Sequence, residues 1–368
     1  MVRVLFLVAP FKAHMIRKMA EHFSSEIVWE LITPSYPYTI QVGRQMSVRE
    51  KILARLLPTS DKSTTETMSA FAPDVVYSDN PFYGMQFKTY SYICRRRLPL
   101  ILHMRGDWWR EYWGWFGSAS WKQRALSSQI YTYQWISTLL ASKITPICKW
   151  LECIVKHHVP LKRTEVVYQG VASEEFKPEP GFDLQHPSAA IIQNHTVYAK
   201  VAGLLNFAEV IERLPSIQFY IAEGENVKQS FLPLVKDRFA RFPNAHFVKG
   251  IDNALAVRRI LTAADCYVLA SGLDCCPTTV LEASLMCKPI IASRIGGVPE
   301  IVAQGKSGWS IDNSRVDDWV EKIRLVTTDS DLNKRLGNYG RRWVCQAFGW
   351  EVIAKQVEHL LHAEVASR

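Results

Sequence analysis

Asp274 and Glu282 stand eight positions apart in the stretch Ser271–Val302, SGLDCCPTTVLEASLMCKPIIASRIGGVPEIV. Between them lies the start of a helix. Pro277 suits its first position, because a fixed φ is preorganised there and the missing N–H is not needed. Thr278, Thr279 and Val280 then offer backbone N–H groups without helical acceptors, and the helix dipole adds partial positive charge. Such a start can seat a phosphate or diphosphate without a dedicated cation. One carboxylate precedes the helix and the other lies one turn in. Acids on both flanks of a phosphate seat suit hydroxyl groups on either side of a diphosphate, a ribose and a sugar.

The same stretch resembles retaining glycosyltransferases of the GT-B fold, family 4 or group 1. That family shows a Glu, seven residues, a second Glu, a Gly-Lys-Pro strand entry and a Gly-Gly-Val-Pro-Glu turn. Here the entry is Cys287-Lys288-Pro289 and the turn is Gly296-Gly297-Val298-Pro299-Glu300, followed by Gly305-Lys306-Ser307-Gly308. Asp274 replaces the first Glu, a shorter acid at the donor sugar. By this resemblance Asp274 holds donor sugar hydroxyls near the reacting carbon and Glu282 holds the ribose. Cys276, Thr278 and Thr279 line the diphosphate. The resemblance implies transfer of a hexose from a nucleotide diphosphate sugar to an acceptor hydroxyl, with retention. A same-face substitution through a short-lived ion pair is the usual proposal for the family, so Asp274 is not assigned as a nucleophile.

Other segments carry the resemblance in order. After the strand Ala189–Ile192 the family places an Arg and, six residues later, a Lys. Lys200 matches the Lys; Asn194 stands at the Arg, with His195 beside it. A cation there would stabilise the departing diphosphate, and a charged donor outweighs a neutral one. Lys200 is otherwise an ordinary surface lysine. Tyr220–Glu225 resembles the strand ending in Gly-Asp-Gly, and Val248–Ile251 the strand end that reads the base, with Gly250 and Ile251 offering backbone at close approach. In the first half the match is looser. Gly106 aligns a His-Gly pair so that Arg105 takes the His position, a third catalytic candidate or a strand-end arginine paired with an acid. Asp107 and Trp108 are acceptor candidates, as are Lys12 and His14 by position in the loop after the first strand. No Asp-x-Asp motif stands in a suitable place, so no metal or other cofactor is expected.

The elements that must position these residues are short apolar runs alternating with longer helical segments. The runs are Val4–Val8, Ile27–Ile32, Asp74–Tyr77, Leu98–Met104, Ile144–Ile147 and Glu165–Tyr168, then Ala189–Ile192, Ile217–Ala222, His246–Val248, Cys266–Ala270, Pro289–Ala292 and Trp309–Ile311. Four to seven Val, Ile and Leu residues at a time read as strands buried on both faces, and their alternation with helices implies parallel sheets. The expected fold is α/β, two doubly wound Rossmann-like domains. By the resemblance this is GT-B: an acceptor domain over 1–172, a nucleotide-sugar domain over 185–345, and a terminal helix in 346–368 returning to the first domain, with the site in the cleft the domains face. A linker near Gly170–Pro187 holds Pro178, Pro180, Gly181 and Pro187.

The 368 residues suit two domains. No apolar run reaches the length of a membrane span, and MVRVLFLVAPFKAH reads as a first strand rather than a signal peptide. Eight scattered cysteines without metal-ligand spacing fit reduced thiols in a cytoplasmic chain. Residues 1–172 hold 22 Lys and Arg against 12 Asp and Glu, while the rest is near neutral. That imbalance suits an anionic partner, such as a lipid diphosphate or the inner membrane face, or else a solvated basic face. Trp108, Trp109, Tyr112, Trp113, Trp115, Phe116 and Trp121, interleaved with Arg110, Lys122 and Arg124, read as an acceptor- or membrane-facing loop. No nucleic-acid module is visible. The expected activity lies in polysaccharide, lipopolysaccharide or glycolipid assembly, with a carbohydrate or lipid-linked acceptor. Alternatives are a GT-B epimerase or phosphorylase, or a non-catalytic nucleotide-sugar-binding scaffold.

Overall fold

The computed structural model describes residues 1–9, 12–33, 61–79, 87–110, 121–223, 231–251 and 253–367. The chain divides into two compact units. Met1–Gly170 and Trp350–Arg368 form the first, and Val171–Gly349 the second.

The first unit carries β1 (Val2–Val8), β2 (Ile27–Ile32), β3 (Val75–Asp79), β4 (Leu100–Met104) and β5 (Lys143–Pro146). They form one parallel sheet in the order β2-β1-β3-β4-β5. Its helices among the first 170 residues are α1 (Ala13–Ala20), α2 (Asp61–Phe71), α3 (Phe87–Arg96), α4 (Trp121–Leu140) and α5 (Lys149–His158). Leu5, Leu7, Val76 and Leu100 are buried with Met68, Tyr90 and Ile93 from the flanking helices. The expected strand Glu165–Tyr168 is not a strand. The chain runs beside β5, with Glu165 N–H donating to Ile144 O (3.1 Å) and Val167 N–H to Pro146 O (3.0 Å). Pro146 has no N–H to return, so the ladder stays open and one isolated bridge, Ile144 to Thr164, remains.

The second unit carries β6 (Ser188–Ile191), β7 (Gln218–Ala222), β8 (Ala245–Val248), β9 (Cys266–Leu269), β10 (Ile290–Ser293) and β11 (Gly308–Ile311). The order is β11-β10-β9-β6-β7-β8, again all parallel. Helices α6 (Tyr198–Asn206), α7 (Ala208–Glu212), α8 (Leu232–Phe239), α9 (Ala254–Ala263), α10 (Thr278–Leu285), α11 (Val298–Ile301), α12 (Val316–Thr328) and α13 (Ser330–Phe348) surround it. Trp319 is the largest fully buried side chain; Phe207 packs edge-on against it. Each sheet reverses its strand order once, between β1 and β3 in the first and between β6 and β9 in the second. Open parallel sheets bind ligands at the carboxyl ends of strands at such a reversal.

The proline-bearing stretch 172–187 is laid along the second unit rather than left slack. Arg341 donates to Phe176 O (3.0 Å), Arg259 to Pro180 O (3.0 Å), and Gln185 N–H to the Tyr220 hydroxyl (2.8 Å). The helical pattern over Gly340–His362 is two helices. α13 runs to Phe348, Gly349 takes extended backbone, and α14 (Trp350–Ala366) follows. α14 packs on α1, β1 and β3 of the first unit.

Candidate functional site

Two segments leave the second sheet where its order reverses. One runs from β6 into α6 and carries Lys200. The other runs from β9 into α10 and carries Asp274. Glycine lets them touch. A Cβ on Gly203 would lie 2.3 Å from the Ser271 carbonyl carbon, and one on Gly272 would lie 2.2 Å from Ala199 O. Gly272 N–H donates to Lys200 O across the contact (3.2 Å). The approach brings Lys200 Nζ to 2.5 Å from Asp274 Oδ1. The Gly296-Gly297 turn closes on the same loop. Gly296 has φ +48°, and a Cβ there would lie 1.8 Å from Asp274 O. Residues 22 to 96 positions apart thus meet at the carboxyl ends of the central strands.

α10 opens at Thr278, one residue later than expected. Pro277 has ψ 116° and stands before the helix, not in its first position. Its carbonyl accepts the Val280 N–H at 3.2 Å. Two open amides therefore remain rather than three: among the described residues, nothing accepts from the N–H of Thr278 or Thr279, and no side chain caps the helix. The buried Tyr267 hydroxyl reaches Ile192 O at 2.9 Å and Thr279 Oγ1 at 2.7 Å, tying the helix start to β6 and β9. Cys276 is half-buried in the preceding loop. Glu282, one turn into α10, is half-buried, and no described residue donates a hydrogen bond to its carboxylate. Burial pushes its pKa up to about 7. A shielded carboxylate without a protein donor is a ready acceptor for ligand hydroxyls.

The positions beside Lys200 turn out differently. Asn194 is exposed, but its Oδ1 accepts from the Thr196 N–H (2.6 Å) and hydroxyl (2.5 Å), a local turn. His195 is fully buried. Gly250 has φ +77°, the left-handed backbone that favours glycine. The Ile251 N–H is engaged by Glu223 O (3.2 Å), which leaves the carbonyl side of that strand end for recognition. Gly224 and Glu225 lie outside the described residues.

At the reversal point of the first sheet stands Asp79, which sequence reasoning missed. It ends β3 fully buried, and Arg105 Nε donates to its Oδ1 at 2.6 Å. Burial alone would raise the Asp79 pKa. The charges of Arg105 and Lys12 and the hydrogen bond outweigh that and hold it at about 2. Arg105 Nη1 also donates to Gln169 Oε1, and Gln169 Nε2 donates to Gly170 O (2.7 Å). Arg105 is thus a strand-end arginine clamped by an acid and an amide. Beside it His103 contacts Thr145 Oγ1 (3.2 Å), and burial with nearby positive charge drops its pKa to about 3, so it stays neutral. The available signal for Asp79 was an acid closing the buried run Val-Val-Tyr-Ser.

The other first-unit candidates are placed as follows. Asp107 is buried and accepts the Arg110 N–H at 3.0 Å, capping a helical turn instead of facing an acceptor. Trp108 and Trp109 are core residues. They stack at 4.0 Å, Trp135 packs edge-on to both, and His158 stacks on Trp109 at 4.3 Å. Tyr112, Trp113, Trp115 and Phe116 lie outside the described residues. Lys12 is half-buried and acts electrostatically on Asp79, while His14 is exposed on α1. Among the described residues no disulfide joins any of the eight cysteines. Among the described residues no helix is long and apolar enough to cross a membrane.

Residues 174–343 match the family model described as Glycosyl transferases group 1. Alpha-maltose-1-phosphate synthase of Mycolicibacterium smegmatis is 27% identical over 197 residues, 50% of this chain and 49% of that protein. A GDP-mannose-dependent alpha-(1-6)-phosphatidylinositol monomannoside mannosyltransferase of Mycobacterium tuberculosis is 31% identical over 108 residues, 29% of this chain and 28% of that one. The chain therefore spans about half or less of these curated relatives. Sucrose-phosphate synthase from Thermosynechococcus elongatus shares the fold, with a TM-score of 0.73 at 15% identity over 100% of this chain and 99% of that one. The two parallel α/β sheets are those of the GT-B fold, and residues 174–343, nearly the whole second unit, are similar to the glycosyl transferases group 1 family.

Proposed function

We propose that this chain transfers a hexose from a nucleotide diphosphate sugar to an acceptor hydroxyl, with retention at the anomeric carbon. The observation that carries this is the convergence, at the carboxyl ends of the central strands β6 and β9, of the Lys200–Asp274 pair, the open amides of Thr278 and Thr279, and the Glu282 carboxylate, to which no described residue donates. Glu282 accepts from the ribose hydroxyls. The two amides and Lys200 hold the diphosphate, whose charge grows as the bond to the anomeric carbon breaks. Asp274 accepts from donor sugar hydroxyls; Lys200 holds it until the donor arrives. The M. tuberculosis relative, described as GDP-mannose-dependent, supports a nucleotide-sugar donor, and its phosphatidylinositol acceptor supports a carbohydrate or lipid-linked one.

A second reading has one observation in its favour. Asn194, in a local hydrogen-bonded turn, stands in place of the family's second phosphate cation, and His195 beside it is buried. A protein that binds a nucleotide sugar without transferring it would tolerate that loss. Incubating purified protein with a panel of nucleotide sugars and measuring free nucleoside diphosphate separates the readings. Transfer or slow hydrolysis, abolished in Asp274→Ala, is expected. Tight binding with no release in either protein would favour the second reading, and an isomerised donor would indicate an epimerase.

A further inference from the structure

We propose that the first unit docks on an anionic phospholipid surface through the edge of its sheet opposite Asp79 and Arg105. This edge lies at the amino ends of β4 and β5. Three consecutive exposed arginines stand here, Arg95 and Arg96 at the end of α3 and Arg97 in the turn into β4. Arg97 has φ +51°, a left-handed backbone that a side chain occupies at a cost. Leu98 N–H then donates to Ile93 O (3.0 Å), which anchors the turn to α3.

Exposed apolar side chains stand at the same end of the sheet. Leu139 and Leu140 end α4, 61% and 38% exposed, and Leu161 at the tip of the next turn is 98% exposed. Lys162 joins the two segments, its Nζ donating to Leu139 O (2.5 Å) and Ala141 O (2.7 Å). The end of α4 and the turn after α5 therefore lie side by side. A groove of about 670 Å³ is lined by Arg95, Arg96, Arg97, Leu140, Arg163 and Glu364, which makes the arginine run contiguous with the apolar end of α4. Arg163 is partly neutralised by the buried Glu364 at 2.9 Å, so the arginine run supplies most of the charge.

Charge alone would suit any polyanion. The leucines decide the class. Nucleic acids are held by basic groups with aromatic stacking, and bare aliphatic tips gain nothing there. At a bilayer each basic group attracts anionic headgroups and each leucine tip enters the acyl boundary. Three of the 22 basic residues among the first 172 stand in this run. The inference does not rest on the transferase reading, because vesicle binding needs no nucleotide.

The test is co-sedimentation of the full chain with vesicles of phosphatidylcholine alone, or with about one third phosphatidylglycerol, at about 0.1 M and 0.5 M salt. The native chain should pellet with the anionic vesicles only, and less so at the higher salt. Arg95→Glu with Arg96→Glu, and separately Leu161→Glu, should each weaken binding by at least about tenfold with unchanged melting curves, these side chains being exposed. Equal binding to neutral vesicles, no binding to anionic ones, or binding indifferent to both variants would overturn the proposal. So would preferential capture of single-stranded RNA or an acidic polypeptide in competition with the vesicles.

Discussion

Glu282→Gln should make the unliganded protein more stable, by an amount that depends on pH in a calculable way. The carboxyl has a pKa near 7 in the folded protein against an ordinary 4.5, and burial is the cause. A raised carboxyl pKa means that the unfolded chain gives up this proton more readily. Raising the pH above 4.5 therefore favours unfolding, and the penalty levels off above 7. With one unit worth 1.36 kcal/mol, the penalty is about 0.2 kcal/mol at pH 4, about 2 at pH 6 and about 3 at pH 8. Glutamine fills the same space without a charge to bury, so the variant should gain about those amounts. Urea unfolding of both proteins at the three pH values measures the gain, the other carboxyls being common to both. A difference that is flat with pH, or a loss of stability at pH 8, would refute the reasoning and mean that Glu282 has a donor or water access in the fold.

Two further expectations concern backbone strain and the first unit. Cys287 sits at φ +56° just after α10, where the family resemblance has glycine; Cys287→Gly should raise the urea midpoint, with a gain of about 1 kcal/mol from relieved strain. Asp79→Asn should cost about 2 kcal/mol at pH 7, because a carboxyl held at about 2 instead of 3.8 contributes stability above pH 3.8 that is lost as the pH falls through 2. The native and variant unfolding curves should therefore converge in acid, and parallel curves down to pH 2 would sink the assignment.

Much of the second unit could be read from the chain because its geometry is written in consecutive residues. The six short apolar runs of that half correspond to β6–β11, and Lys200, Asp274 and Glu282 each follow a strand end or open a helix. Glycines at 203, 272 and 296 mark where backbones meet, since a methyl group at any of them would strike a neighbouring backbone atom. What the sequence hid was pairing across elements. Asp79, Arg105 and Gln169 come from three separate strand ends or loops, and nothing local says that they share one guanidinium. Trp108 and Trp109 look like a free aromatic cluster until α4 supplies Trp135 and α5 supplies His158 to bury them. The extra strand at Glu165–Tyr168 failed on a single atom, the hydrogen that Pro146 lacks. Pro277 slipped one position because its carbonyl, not its ring, closes the first turn of α10.

The central claim is that the ionised Glu282 carboxylate, beside the open amides of α10, grips the sugar hydroxyls of a nucleoside diphosphate. Calorimetric titration with UDP and with GDP at pH 6 and pH 8, on the native protein and on Glu282→Gln, tests it most directly. A group with a pKa of about 7 is roughly one tenth ionised at the lower pH and nine tenths at the higher, so native affinity for the preferred nucleotide should rise about tenfold. The variant should bind more weakly at pH 8 and show only the change due to the diphosphate itself. Native affinity that does not change with pH, or a variant that tracks the native protein at both values, would contradict the account.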